Sequence, residues 1–306
     1  MSTTREEEEA AILPDERIAA VGRGEVAIPA GWSSRALYVG ESGARHWLSV
    51  VHEPGYPLRD PDALGLRGHR LAAIAGLRPG TIVSLGPGDG SADADLLAAS
   101  QDRPGYIAVD LSRPLLEAAI ERLRPIAGPV HGVLCDFEED GGLLGEVLAR
   151  QACRPILFAM LGGTLGNLDG GEARFLDRIR GLMQPGDALL ADLPLAGPGW
   201  SVEVEPRLRA TAYTPAFRAF LLGDGAGEGA FEDRVGFAHR RDADTAAEVI
   251  EVTDRPSGRR LLTFRRYRRE AILEWLAGRG FRVAFARSSF APPAEAFGMG
   301  VVLLTT

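Results

Sequence analysis

The sequence predicts an α/β fold: a mostly parallel sheet covered by helices on both faces, with a terminal antiparallel strand pair and a second domain built from the N-terminus and an insertion. Three observations predict it. Short apolar runs alternate with helical patterns from residue 80 to 193, the alternation breaks between 195 and 262, and the last two strand patterns have no helix between them.

Each element follows from local residue choice. Thr81–Leu85 reads as the first strand, with a helix from Ala92 to Ala99 behind it. Gly105–Asp110 is the second; Ser112-Arg113-Pro114 then opens a helix with a capping hydroxyl and an early proline. Val133–Asp136 is the third strand. Ile156–Leu161 is the fourth, and its five apolar residues from Ile156 to Met160 suit the middle of a parallel sheet. A helix over Glu172–Met183 stops at Gln184-Pro185-Gly186-Asp187, and Ala188–Asp192 is the fifth strand. After the interruption, a helix over Glu270–Ala277 precedes Phe281–Ala286 and Gly300–Leu304, which are expected to pair antiparallel at the sheet edge.

Residues 195–262 hold prolines, scattered aromatics and the flexible run Leu222–Gly229, and residues 1–60 also stand outside the alternation. The two segments are expected to pack together over the ligand edge of the sheet, since small-molecule sites favour such interfaces. The chain thus divides into 1–60, 61–194, 195–262 and 263–306, the first and third forming the second domain.

Composition narrows the classes. At 45% hydrophobic residues, the 306-residue chain has ample material for a core. No apolar run approaches the ~18 residues of a membrane span, and "MSTTREEEEAAILPDE" lacks the basic-then-apolar order of a secretory signal. A net charge of −8 argues against nucleic acid as a partner; the basic cluster Arg265–Arg269 reads as a solvated helix start. Cys135 and Cys153 make neither a disulfide framework nor a zinc site, and the five histidines lack ligand spacing, so no metal and a cytoplasmic setting are expected.

The strand ends carry the chemistry. Gly86, Gly88 and Gly90 follow the first strand directly, where glycine lets backbone N–H groups approach a ligand closely. The dinucleotide fingerprint requires glycine where Ser91 stands, which weakens a dehydrogenase reading. Asp110 closes the second strand in position to accept ribose hydroxyls, as a dehydrogenase acid also would. Asp136-Phe137 closes the third; a carboxylate there can accept from an adenine amino group while the ring packs near the base. An acid in a turn or helix cap is the plainer alternative for Asp136. Together with the antiparallel pair, these ends favour a Rossmann-like class I methyltransferase sheet using S-adenosylmethionine.

The turn after the fourth strand is the most distinctive piece. "MLGGTLGNL", followed by a helix and "MQPGDALLADL", resembles the histidine-specific methyltransferase family of ergothioneine biosynthesis, as do "YVGESGARHWLSVVHEPGYPLR" and "RLRATAYTPAFRAFL". The resemblance runs from about residue 35 to 290. It implies a methyltransferase domain with a substrate domain formed by the N-terminus and the insertion. It also implies that Gly86, Gly88, Asp110, Asp136 and Phe137 hold S-adenosylmethionine, that Asn167 and Tyr213 hold an amino acid's backbone groups, and that Tyr38 lines the pocket with Tyr56.

This sequence departs from the family at four places. The family's Tyr-Tyr pair is Gly55-Tyr56, its Glu-x-Ser before the last helix is matched by no carboxylate in Leu261–Tyr267, its basic residue after the glycine turn is replaced by Ser91-Ala92-Asp93, and its first-strand acid is Ser84. A buried imidazole N–H left unpaired costs about 1–3 kcal/mol. The expected activity is therefore N-methylation of an amino acid or related small amine other than histidine. Asn167 and Tyr213 are its orienting residues, Leu262–Arg266 its pocket floor, and the molecule a monomer or weak homodimer. A natural-product O- or C-methyltransferase and a non-catalytic S-adenosylmethionine-binding partner subunit are the alternatives.

Overall fold

The computed structural model describes residues 11–12, 18–20, 34–54, 56, 58–60, 62, 64–139, 141–201, 214–224, 231–291 and 295–306. Its main sheet contains β1 (Ala11–Ile12), β2 (Ile18–Ala20), β3 (Thr81–Leu85), β4 (Gly105–Asp110), β5 (Val130–Leu134), β6 (Ile156–Met160), β7 (Ala188–Ala196), β11 (Arg282–Phe290) and β12 (Phe297–Thr305). Their order is β1-β2-β5-β4-β3-β6-β7-β12-β11. Strands β2 to β7 pair parallel, while β12 runs antiparallel to both β7 and β11. The terminal antiparallel pair expected from the sequence is present, with β12 inserted between β7 and β11.

Strand periodicity decides which residue meets which helical layer. Val83, Leu85, Ile107, Val109, Phe158 and Met160 point to one side and pack with Leu144 and Val147 of α5 (Gly141–Gln151) and Phe175 and Ile179 of α6 (Glu172–Leu182). Ile82, Tyr106, Ala108, Leu157 and Ala159 point to the other. They meet α2 (Leu66–Ile74), α3 (Ser91–Ala99) and α4 (Arg113–Leu123) through Leu66, Leu96 and Leu116. Both faces are covered, so the strands are apolar throughout.

Several strand bounds differ from the sequence reading: β6 stops at Met160, β11 runs on to Phe290 and β12 spans Phe297–Thr305. β5 stops at Leu134, which leaves Asp136 in the turn beyond it. β7 continues to Ala196 because β12 pairs with it over eight residues, from Leu189 to Ala196.

A separate antiparallel sheet comprises β8 (Val235–Arg241), β9 (Glu248–Asp254) and β10 (Arg259–Arg266). Leu37, Val50 of α1 (Gly40–Val51), Phe220, Phe231, Val252, Leu261 and Leu262 form its apolar cluster. Tyr267 joins it to the main sheet: its N–H donates to Pro194 (2.8 Å), and its carbonyl accepts from Ala196 (2.9 Å).

β3 has β4 on one side and β6 on the other, so the chain order reverses there and a crevice opens at the carboxyl ends of the strands. Buried Asp187 fixes the opposite end, accepting from the N–H groups of Ile156 (2.7 Å) and Gln184 (2.8 Å) and pairing with Arg154. Unpairing a buried N–H costs about 1–3 kcal/mol. Asp187→Ala is expected to destabilise the fold by about 2–4 kcal/mol, seen as a lower urea midpoint with an unchanged slope.

Candidate functional site

A cavity of about 510 Å³ lies over the carboxyl ends of β3, β4 and β6. Tyr38, Tyr56, Gly86, Gly88, Asp110, Asp136, Phe137 and Asn167 all line it, so eight residues singled out in the sequence share one cavity. Tyr213 lies outside the described residues. Gly90 faces away: a Cβ there would stand 3.2 Å from Ala119 Cα and 3.0 Å from Leu123, so its smallness lets α3 and α4 approach.

The glycine turn begins where β3 ends. Gly86 and Gly88 have φ of +71° and +58°, a region that side chains rarely adopt, and Gly86 N–H returns to Val109 O at 2.8 Å. Asp110 ends β4 and is 6% exposed. Burial pushes its carboxyl up to about 7, against the opposing backbone N–H groups of Ser112, Leu111 and Gly88. Phe137 stands edge-on to Phe175, with centroids 5.8 Å apart, and presents its other side to the cavity.

Asp136 is less open than the sequence implies. One oxygen accepts from Glu138 N–H (3.0 Å), and the other is taken by Arg35. Arg35 belongs to the short 3-10 turn Ser34–Leu37 and also faces Asp169 (3.4 Å), Glu139 (3.8 Å) and Glu138 (4.0 Å). Its neighbour Ser34 donates to Asp169 (2.8 Å) and accepts from Thr263 N–H of β10 (3.1 Å).

The turn after β6 is held from outside. Gly162 N–H donates to Asp192 at 2.6 Å, Arg265 donates to Leu168 O at 2.7 Å, and the Tyr267 hydroxyl donates to Glu172 at 2.5 Å while lying 3.2 Å from Leu165 O. Arg265 is buried and also faces Glu172 (3.3 Å), so the arginine cluster starts at a strand end and its first member is structural rather than solvated. Asn167 closes the 3-10 turn Thr164–Asn167, and its side-chain amide makes no hydrogen bond to the described residues. The plainer role for an asparagine in a turn, bonding its own backbone, is therefore not taken.

Across from this turn stands an aromatic wall. Tyr38 packs edge-on against Trp47 (5.2 Å) and Phe220 (5.1 Å), and Trp47 against Tyr56 (6.1 Å). Burial raises both tyrosine hydroxyls, Tyr56 to about 12, so they stay protonated and serve as hydrogen-bond donors. Trp47 Nε1 comes within 3.9 Å of where a Gly88 Cβ would be, so α1 touches the glycine turn. Residues 262–266 do not line this cavity, and Leu262 instead packs in the apolar cluster of the small sheet.

Sequence reasoning missed Trp47, Arg35, Arg70 and Asp93, all on the cavity wall. Trp47 carried a readable signal, since Gly43, Trp47 and Val51 fall on one helical face next to Tyr38. The charged residues carried none, because their partners are distant in sequence. Burial pushes Asp93 up to about 7; Ser84 and Arg70 oppose this from nearby, yet neither carboxylate oxygen makes a well-formed hydrogen bond.

The strand order, the glycine turn and the buried acid at the end of β4 define an S-adenosylmethionine-dependent methyltransferase. The profile described as "Histidine-specific methyltransferase, SAM-dependent" matches residues 29–196, and the chain belongs to that family. It is 35% identical over 154 residues to the histidine N-alpha-methyltransferase of Mycobacterium tuberculosis, a match covering 48% of this chain and 46% of that protein, so about half the relative's length is spanned. In fold it is similar to human N-acetylserotonin methyltransferase solved with SAM, at a TM-score of 0.51 and 12% identity, covering 91% of this chain and 60% of that one. Among the described residues no helix is long and apolar enough to cross a membrane, and no three potential ligands gather to hold a metal.

Two predictions concern Asp110. Without ligand, its raised carboxyl makes the fold lose stability as pH rises from about 4 to about 7. With Asp110 assigned to the donor's ribose hydroxyls, calorimetric affinity for S-adenosylhomocysteine is expected to rise over pH 6 to 8. Asp110→Ala should lower that affinity by about 1.5–3 kcal/mol at pH 8, as loss of a charged acceptor does.

Proposed function

We propose that the protein N-methylates an amino acid or a related small amine, and that this acceptor is not histidine. The observation that carries the reading is Asn167: an uncharged amide with no partner among the described residues, on a turn of almost no bulk, facing the aromatic wall of Tyr38, Trp47 and Tyr56.

In this reading Gly86, Gly88 and Asp110 hold S-adenosylmethionine, with Phe137 against the adenine and Asp136 sharing its charge between the base's amino group and Arg35. Bound there, the donor supplies an electrophilic methyl group on a sulfonium. The chain's own task is to present a neutral amine in attack geometry. Asn167 orients the amine through its amide oxygen, and the apolar rings disfavour the ammonium form by withholding water. Tyr38 and Tyr56, kept protonated, donate to acceptor oxygens, with Tyr213 assigned to the same group from the sequence. The segment 34–60 and the small sheet with residues 214–224 form the acceptor half, and the main sheet with its helices, which β1 and β2 join, the donor half.

Exclusion of histidine rests on the sequence departure alone: where the family it resembles carries a carboxylate toward imidazole, none stands between Leu261 and Tyr267.

Incubation with labelled donor and a panel of amino acids tests the proposal. N-methyl products are expected, with histidine turned over at least ~100-fold more slowly than the best acceptor, on the order of 3 kcal/mol in transition-state binding. Label on oxygen or carbon would move the protein to another methyltransferase class. Binding without turnover would make it a non-catalytic subunit, and efficient histidine methylation would sink the substrate argument.

A further inference from the structure

Arg70 of α2 is 3% exposed and lies on the cavity wall beside Gly86, Leu161 and Gly162. Its Nε donates to Asp192 Oδ1 at 3.2 Å and one Nη2 hydrogen goes to Oδ2, a side-on grip in which the fully buried Asp192 fixes the plane of the guanidinium. Asp192 also accepts from Gly162 N–H (2.6 Å), which ties the same unit to the turn after β6. The remaining amino group, Nη1, meets no hydrogen-bond partner among the described residues and is not sealed off from the cavity.

The other arginines on this wall are differently placed. Arg35 faces four carboxylates, Arg122 is paired with Asp89, and Arg59 is exposed. Arg70 alone among them combines burial, a fixed orientation and an unspent donor. A buried donor of this kind is costly to leave unmade, and a carboxylate brought into such a cavity is costly without a cation. Asp93, on the helix that the glycine turn opens, stands next to Arg70, and burial shifts its carboxyl toward the neutral form.

We propose that Arg70 receives the carboxylate of the methyl donor's amino-acid end through Nη1, with Asp192 as the positioning residue that aims it. The assignment goes to the donor because Arg70 stands next to Asp93 of the helix that the glycine turn opens, whereas Asn167 and the aromatic wall are assigned to the acceptor. It rests on the family's use of S-adenosylmethionine and is independent of which acceptor is methylated.

Calorimetry tests it with two ligands, S-adenosylhomocysteine and the same thioether with its carboxylate removed, and needs no turnover. The wild-type protein is expected to prefer the intact ligand by about tenfold or more, the scale of a charged hydrogen bond. In Arg70→Met/Asp192→Asn, which removes both buried charges together, that preference should vanish while affinity for the decarboxylated ligand stays within about threefold. Arg70→Lys, which keeps the charge in place, should retain part of the preference and serves if the double variant does not fold. No preference in the wild type would overturn the assignment, as would a parallel loss of both ligands or an undiminished preference in the double variant. Loss of affinity for both ligands in the wild type would instead refute donor binding itself.

Discussion

A turn with almost no side chains satisfies only part of its own backbone, and the arrangement of this molecule follows from that constraint. Between Leu161 and Gly170, Gly166 N–H and the Thr164 hydroxyl bond within the turn, and further partners come from elsewhere. Asp192 takes Gly162 N–H, Tyr267 and Arg265 reach the carbonyls of Leu165 and Leu168, and Glu138 accepts from Gly170 N–H at 2.9 Å. Those partners come from β7, β10, the segment just after it, and the loop after β5. Three distant stretches of chain are thereby pinned around one small loop. Bulkless residues leave room for ligands, and imported side chains supply the rigidity that bulk would have given.

The same logic explains the course of the N-terminal segment. Ser34 and Arg35 reach Asp169, Asp136 and Thr263, so a single 3-10 turn contacts the loops of the large sheet and an edge-strand residue of the small one. Leu37 then enters the apolar cluster shared by α1 and the small sheet. Polar groups fix the register and apolar ones supply most of the burial energy.

Much of this was legible in the sequence where a short-range rule applied. β3 and β4 were located to the residue, because alternating apolar runs bounded by glycine and aspartate mark buried strands. The antiparallel ending was legible from the missing helix. Gly86, Gly88, Asp110 and Phe137 were found because strand ends of an α/β sheet are where ligands meet backbone. What escaped were pairings over long separation: Arg70 with Asp192, Arg35 with Asp136, and Arg265 with Leu168, separated by 122, 101 and 97 residues. A linear reading sees an arginine in a basic run and takes it for solvated. Only the fold shows that it is buried against a carbonyl. Gly90 illustrates the reverse error of attribution, a glycine in the right motif whose smallness serves helix packing.

Trp47 belongs to both halves of the cavity, its indole edge against the glycine turn and its faces among Tyr38, Tyr56 and Phe220. On the proposed assignment of donor and acceptor, one ring forms a common boundary between their positions. Any displacement of that ring by one ligand alters the shape offered to the second, and thermodynamic linkage makes the effect mutual and equal in both directions. The order in which the two small molecules arrive, and the readiness with which the spent one leaves, are then properties of a single side chain on α1 as much as of the groups that touch the reacting atoms.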